Sequence, residues 1–441
     1  MAETIVAIAT SLASSAGVNI VRISGDEAKN IADNFFVSRK IINGNMMPNY
    51  MYLGRINGEN FSEKAFCVYY KAPFSYTGED VVEIHCHGGI GITQAIVSMA
   101  RKYGARPAEA GEFTKRAFLN GKLSLAEAEG VLDMINATTE SEIRNAYKLM
   151  SGELTKGIDK SQTLLTETVA MLEAKLDYPE ELEEDTKLPA KQKIADAIEE
   201  SQRLLSTSVR AKTVTKGADI AIVGIPNAGK SSLLNALLKE DRAIVSDIAG
   251  TTRDVLKESV EVRGLRLNFL DTAGIRDGKD IIEKLGIERS KKAIIGADVV
   301  IDVLDASVPI TEAELEIEKL LEGKKVVKVS NKSDKSVYPR DGISICAKTG
   351  EGIDKVIEAV MNLLDRDVIY SEGVLTNERH IFALEDALRC LKRALDGYDS
   401  MPTECTLVDL HQALDSLGKI TGRNVGEDIL DEVFSRFCVG K

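Results

Sequence analysis

The chain has 441 residues, enough at about 150 residues per domain for three domains with cores of their own. With 44% hydrophobic and 28% charged residues its composition is that of a folded globular protein, which excludes a disordered, fibrous or collagen-like chain. Lys and Arg number 56 against 69 Asp and Glu, a net charge of −13, so a globally basic nucleic-acid-binding surface is excluded and any such contact must use local patches such as Arg101-Lys102 or Lys115-Arg116.

Over residues 5–70, short apolar runs (IVAIAT, VNIVRIS, AFCVYY) are broken by Gly, Asn and Pro, which predicts strands with one early helix near 26–36, an α+β unit. After Pro107 the segments 112–150, 154–176 and 189–212 carry apolar residues at helical spacing with few internal breakers, which predicts long helices. The acidic stretch 177–185 between two of them reads as a solvated loop. From Gly217 the pattern becomes strands (ADIAIVG, LRLNFLDTAG, DVVIDVLDA, KKVVKVS, GISICA) alternating with helices, the signature of a parallel, doubly wound sheet. Helical periodicity returns over 375–437, so the expected architecture is one helical domain interrupted by an inserted α/β domain. The expected boundaries are 1–118, 119–212, 217–368 and 372–441.

The six cysteines form no CxxC pair, and the N-terminal MAETIVAIAT carries an acid where a signal peptide needs basic residues, which points to a reducing cytoplasm. No apolar run approaches the roughly 18 to 20 residues of a membrane span. The terminal CVGK departs from a prenylation box at Gly440 and Lys441. His85 and His87 share one face of a predicted strand, but no CxxC or HxxxH follows, so they read as a strand end before the Gly88-Gly89 turn rather than a metal site.

The segment Gly224-Ile225-Pro226-Asn227-Ala228-Gly229-Lys230-Ser231 fits GxxxxGKS between a predicted strand and the helix SSLLNALLK. Its glycines let backbone N–H groups curl around phosphates at a helix N-terminus, with Lys230 on the β/γ-phosphates, the Ser231 hydroxyl at Mg²⁺, and Ser232 among the GTP-binding residues of the first helical turn. Partners follow in order: Asp271-Thr272-Ala273-Gly274 at a strand end, Asn331-Lys332-Ser333-Asp334, then Cys346-Ala347-Lys348. Asp334 selects guanine, because its two oxygens accept from N1–H and the 2-amino group while adenine offers no such donor pair. The segment Ser246-Asp247-Ile248-Ala249-Gly250-Thr251-Thr252 occupies the first switch position, with Thr252 a second Mg²⁺ ligand. Ile275 stands where Ras-like proteins carry a water-orienting glutamine, so hydrolysis needs another group, with Glu283, Glu288, Arg253 and Arg276 as candidates.

Together GIPNAGKSSLLNALL, DIAGTTRD, DTAGIRD, IEKLGIERS, YTGEDVVEIHCHGG, AGEFTKRAFLNGKLSL and the terminal CVGK resemble the MnmE (TrmE) family of tRNA-modification GTPases, collinearly from Ile5 to Lys441. The resemblance implies an N-terminal tetrahydrofolate-binding domain and a Ras-like G domain inserted in a helical domain. It implies potassium-stimulated GTP hydrolysis by a homodimer, with K⁺ held by Asn227, Ser246, Ile248 and Thr251 and water positioned by Glu283. For 5-formyl- or methylene-tetrahydrofolate it implies Arg22, Glu83, Lys122 and Lys441. It also gives Cys438 a role in the modification chemistry, whereas the residue pattern alone reads it as a small apolar residue near a helix end. The implied function is modification of C5 of the tRNA wobble uridine, adding an aminomethyl or carboxymethylaminomethyl group, with an FAD-containing partner of the MnmG (GidA) family. The G domain offers no one-carbon carrier, so GTP turnover would drive conformational change. The alternative is an Era-like switch in ribosome assembly without small-molecule chemistry, but such proteins follow the G domain with a KH module, and no GxxG loop follows Leu375.

Overall fold

A computed structural model describes residues 3–11, 16–41, 45–178, 187–207, 217–239, 258–262, 265–270, 293–338, 340–364, 375 and 377–441. The chain forms two compact units, the first made of Met1–Asn136, Lys148–Ser201 and Phe382–Lys441 and the second of Ala137–Tyr147 and Gln202–Ile381.

In the first unit, β1 (Ile5–Ile8), β2 (Ala16–Ser24), α1 (Ala28–Asp33), β3 (Phe36–Val37), β4 (Met51–Asn57), β5 (Ser62–Tyr70), β6 (Val81–Gly88), α2 (Ile90–Lys102) and β7 (Arg106–Pro107) build a sheet in the order β3-β4-β5-β6-β2-β1-β7. Neighbours are antiparallel except the β1–β7 pair. Strand alternation buries Val21, Ile23, Val82, Ile84 and Cys86 in a core shared with Ile31 of α1 and Ile96 of α2. The same alternation turns Arg22, Glu83 and His85 to the other face, and the register sets Arg22 directly opposite Glu83.

The stretch 112–150, expected as long helix, is three helices: α3 (Glu112–Leu119), α4 (Leu125–Asn136) and α5 (Glu140–Met150). Gly121 at φ +67° ends the first turn of chain after α3. Ser124 Oγ then accepts from the Glu127 N–H (3.2 Å) while Glu127 Oε2 accepts from the Ser124 N–H (2.7 Å), a capping box that starts α4. Thr139 and Glu142 repeat the device for α5. Helix α6 (Glu153–Asp177) is followed, beyond residues 179–186, by α7 (Lys187–Ser206).

In the second unit, β8 (Ala218–Val223), α8 (Lys230–Lys239), β9 (Glu258–Val262), β10 (Leu265–Leu270), β11 (Val299–Asp305), α9 (Glu312–Leu320), β12 (Val326–Asn331), β13 (Ile343–Ser344) and α10 (Ile353–Leu363) form a sheet in the order β13-β12-β11-β8-β10-β9. All pairs are parallel except β9–β10. Its strands are near-continuous apolar runs, because helices cover both faces: Ile220, Ala221, Val300 and Val303 are fully buried. The chain then returns to the first unit through α11 (Glu378–Gly397), α12 (Thr403–Thr421) and α13 (Glu427–Ser435). Arg423, just past α12, donates to Gln162 Oε1 and Asp159 Oδ1 of α6, both at 3.0 Å, tying together helical segments that lie on either side of the α/β insertion in the sequence.

Candidate functional site

Strand β8 delivers the phosphate-binding loop at the carboxyl edge of the sheet, beside the point where the order turns outward in both directions. The loop needs unusual backbone at three positions: Gly224 at φ +144°, Asn227 at +64° and Gly229 at +100°. A Cβ on Gly224 would lie 2.4 Å from the Val303 carbonyl oxygen, and one on Gly229 would lie 2.1 Å from Asn331 Nδ2. The loop thus packs closely against β11 and the Asn331 side chain, and it leads into the first turn of α8, where a helix N-terminus favours an anion. Lys230 Nζ donates to the Gly224 and Ile225 carbonyls, both at 2.8 Å, and burial lowers its pKa. Ser231 and Ser232 are exposed on that first turn.

Asn331 ends β12 and joins three segments. Its Nδ2 donates to the Ala228 carbonyl at 2.7 Å, and its Oδ1 accepts from the Ala347 N–H at 3.0 Å. Lys332 follows in the left-handed conformation, φ +64°, and donates to Asp305 Oδ2 at 2.5 Å. Asp334 is exposed, with the buried Cys346 thiol donating to its Oδ1 at 3.5 Å. Lys348 is exposed next to Ala347. The structure therefore brings Asn227, Ala228, Gly229, Lys230, Asn331, Lys332, Asp334, Cys346 and Ala347 to one sheet edge. The donors and the guanine-type carboxylate fit a guanine nucleotide, and the Ser231 hydroxyl at a helix start fits its magnesium ion. Ser246, Asp247, Ile248, Ala249, Gly250, Thr251, Thr252, Asp271, Thr272, Ala273, Gly274 and Glu283 lie outside the described residues, as do Arg253, Ile275, Arg276 and Glu288.

A second polar site lies in the first unit. Arg22 pairs with Glu83 at 2.8 Å, and its guanidinium stands 5.6 Å from the Tyr76 ring centre and 5.7 Å from that of Phe113. Burial opposes ionisation of Glu83, but the adjoining His85 and Arg22 outweigh it and hold the carboxyl below its ordinary range. His85 Nε2 is 3.4 Å from Glu83 Oε2, a neighbour that the strand-end reading of His85 overlooked although the i, i+2 spacing puts both on one face. Tyr76 and Phe113 carried no sequence signal, because only the folded chain sets them over Arg22. Lys122 donates to the Pro73 carbonyl at 2.9 Å. The C-terminal tail bridges Val439 to Ala110, and Gly440, at φ +104°, comes so close to β1 that a Cβ would lie 2.1 Å from the Ile8 carbonyl oxygen. Lys441 donates its N–H to the Cys438 carbonyl at 3.3 Å, and Cys438 is exposed. The Arg22 cluster pairs a carboxylate with cationic and aromatic groups, which fits a pterin edge and the carboxylates of a folate.

The family described as GTP-binding protein TrmE N-terminus matches residues 4–122, and that described as MnmE helical domain matches residues 125–438. The tRNA modification GTPase MnmE of Clostridioides difficile (strain 630) is 40% identical over 459 residues, spanning 100% of this chain and 99% of that protein. MnmE of Aquifex aeolicus (strain VF5) is 40% identical over 454 residues, covering 100% of both chains. MnmE of Streptococcus gordonii (strain Challis) is 38% identical over 462 residues, again with 100% of this chain covered. With a P-loop and the segment 331–334 joined at one sheet edge and full-length relatives of one kind, the chain belongs to the MnmE family of tRNA modification GTPases.

Proposed function

We propose that the protein hydrolyses GTP in the service of tRNA modification at C5 of the wobble uridine, adding an aminomethyl or carboxymethylaminomethyl group together with an FAD-containing MnmG-type partner. The observation that carries this reading is the Asn331 junction, which holds the phosphate loop, the Asp334 segment and Ala347 in one arrangement. In it, backbone N–H groups of 227–232 and Lys230 take the phosphates, and Asp334 selects guanine. Ser231 and Thr252 hold Mg²⁺, which supplies charge neutralisation on the phosphates. Asn227, Ser246, Ile248 and Thr251 hold K⁺, which supplies the positive charge an arginine finger gives elsewhere. Glu283 orients the attacking water in place of the glutamine that Ile275 replaces.

The cluster of Arg22 and Glu83, with Lys122 and Lys441, is read as the site for 5-formyl- or methylene-tetrahydrofolate, the group that would supply the one-carbon unit, with Cys438 on the C-terminal tail as its chemical companion. The boundaries 1–118, 119–212, 217–368 and 372–441, a homodimer and a cytoplasmic location complete the reading. Among the described residues no helix is long and apolar enough to cross a membrane. The acidic net charge leaves tRNA contact to local patches or to the partner.

The test is the steady-state GTPase rate in KCl against NaCl at equal ionic strength, for the wild type and Glu283→Ala. Strong potassium dependence, with a loss of about a hundredfold or more in the variant, is expected. Equal rates in both salts with an unaffected variant would instead favour an Era-like switch.

A further inference from the structure

Asp305 belongs to none of the nucleotide-binding segments, yet its carboxylate is held by three hydrogen bonds at the nucleotide edge. It is the last residue of β11, opposite Asn331 of β12 in the parallel register, and is 3% exposed. Its Oδ1 accepts from the Ser307 N–H at 2.9 Å and the Ser307 hydroxyl at 2.5 Å, while its Oδ2 accepts from Lys332 Nζ at 2.5 Å. Burial pushes this carboxyl upward, but Lys332 and Ser307 outweigh it, so it stays charged at neutral pH. On the other side of the same strand end, Arg340 donates to the Asp305 and Val308 carbonyls at 3.4 and 2.7 Å and pairs with the buried Glu314 at 3.4 Å. The backbone that presents Asp305 is therefore fixed from both directions.

Lys332 sits between Asn331, which is tied to the phosphate loop, and the exposed Asp334. A lysine is a flexible stem with a charged tip, and with the tip unanchored the stem samples many rotamers. Here the backbone is pinned at φ +64° and the tip is pinned on Asp305, so both ends of the four-carbon stem are held. A stem fixed in this way is an ordered apolar rail, two residues before Asp334 in the chain.

We propose that Asp305 is a positioning residue for guanine: by anchoring the Lys332 ammonium it holds the Lys332 stem against the face of the purine bound by Asp334. This rests on the reading of 331–334 as the guanine segment. Asp305 touches no nucleotide. It acts on affinity for any purine lying on the rail, whereas Asp334 acts on which purine is taken.

The experiment measures the affinities of the full-length protein for GDP, IDP and ADP, in the wild type and Asp305→Asn, with folding checked by thermal melting. Asp305→Asn removes the charge that holds Lys332 and is expected to weaken GDP and IDP together by about tenfold or more, keeping their ratio. It should also raise KM for GTP by more than it lowers kcat. On a Lys332→Met background the same substitution should add less than twofold, because the two residues act as one unit. Unchanged GDP affinity in Asp305→Asn overturns the proposal. So does loss of the GDP over IDP preference along with affinity, since that marks a loosened loop rather than a lost rail. If Asp305→Asn does not fold, Lys332→Met alone decides: GDP binding as tight as in the wild type overturns the proposal, and a loss of about tenfold supports it. A wild type that does not prefer GDP to ADP overturns the guanine reading itself, and the proposal with it.

Discussion

At the scale of single residues, Asp302 is held against its own charge. It lies within β11, 4% exposed, and burial, aided by Glu314 and Glu318 and opposed by Lys328, pushes its carboxyl up to about 6. An acid raised in the folded state contributes stability that is fully present below its unfolded value of 3.8 and is lost as pH rises through about 6. Asp302→Asn is therefore expected to raise Tm at pH 7.5, by the equivalent of up to about 3 kcal/mol, with the advantage gone near pH 4. Thermal melts of both proteins across that range check it, and an unchanged difference at the two ends would contradict it. Residue-level function was unevenly legible. Gly229, Lys230 and Asp334 stand out as candidates because motifs for phosphate and guanine recognition are contiguous segments. Asp305 and Tyr76 do not, because their partners Lys332 and Arg22 are remote in sequence and meet them only across strands and helices.

At the scale of elements, the N-terminus of α3 is organised by one carboxylate. Glu112 Oε1 accepts from Arg106 Nη2 at 2.6 Å and Arg116 Nη2 at 2.9 Å, and Oε2 accepts from Arg106 Nη1 at 2.8 Å and the Glu109 N–H at 2.9 Å. Burial works against this charge, but the Arg106 and Arg116 bonds outweigh it and bring the carboxyl down to about 2. A depressed acid contributes stability present above its ordinary value of 4.5 and lost as pH falls through about 2. Glu112→Gln should cost about 1 to 3 kcal/mol at neutral pH. Denaturant titrations should show that deficit narrowing between about pH 4.5 and pH 2, and a deficit independent of pH would count against the ion network. The three-way division of 112–150 was written in the chain as Ser124-x-x-Glu127 and Thr139-x-x-Glu142, but apolar periodicity runs through both breaks and masked them. The antiparallel β9 was missed for a different reason: ESVEV is short and polar, and pairing with β10 is what makes it a strand.

At the scale of the whole molecule, the C-terminus is returned to the N-terminal sheet within the first unit. Phe434 and Phe437 bury with Leu125 and Ala128 of α4, and Val439 then bridges to Ala110. Gly440 is the tight point, with a left-handed φ and no room for a Cβ against the Ile8 carbonyl. Gly440→Ala is expected to displace Lys441 and weaken 5-formyl-tetrahydrofolate binding about tenfold or more, measured by calorimetry on the full-length protein with GDP binding as the folding control. Unaltered folate affinity would remove Lys441 from that site.

The sequence by itself determined the fold class and the α/β insertion between helical segments, and it marked the candidate phosphate and guanine segments, because hydrophobic periodicity and loop chemistry are local properties of the chain. Tertiary structure decided which groups meet: Glu83 opposite Arg22 through strand register, Asn331 across to Ala228, and Gly440 against β1. Those pairings are separated by up to several hundred residues and depend on crossovers and chain return, and no local pattern encodes the distance between segments that only a shared core brings together.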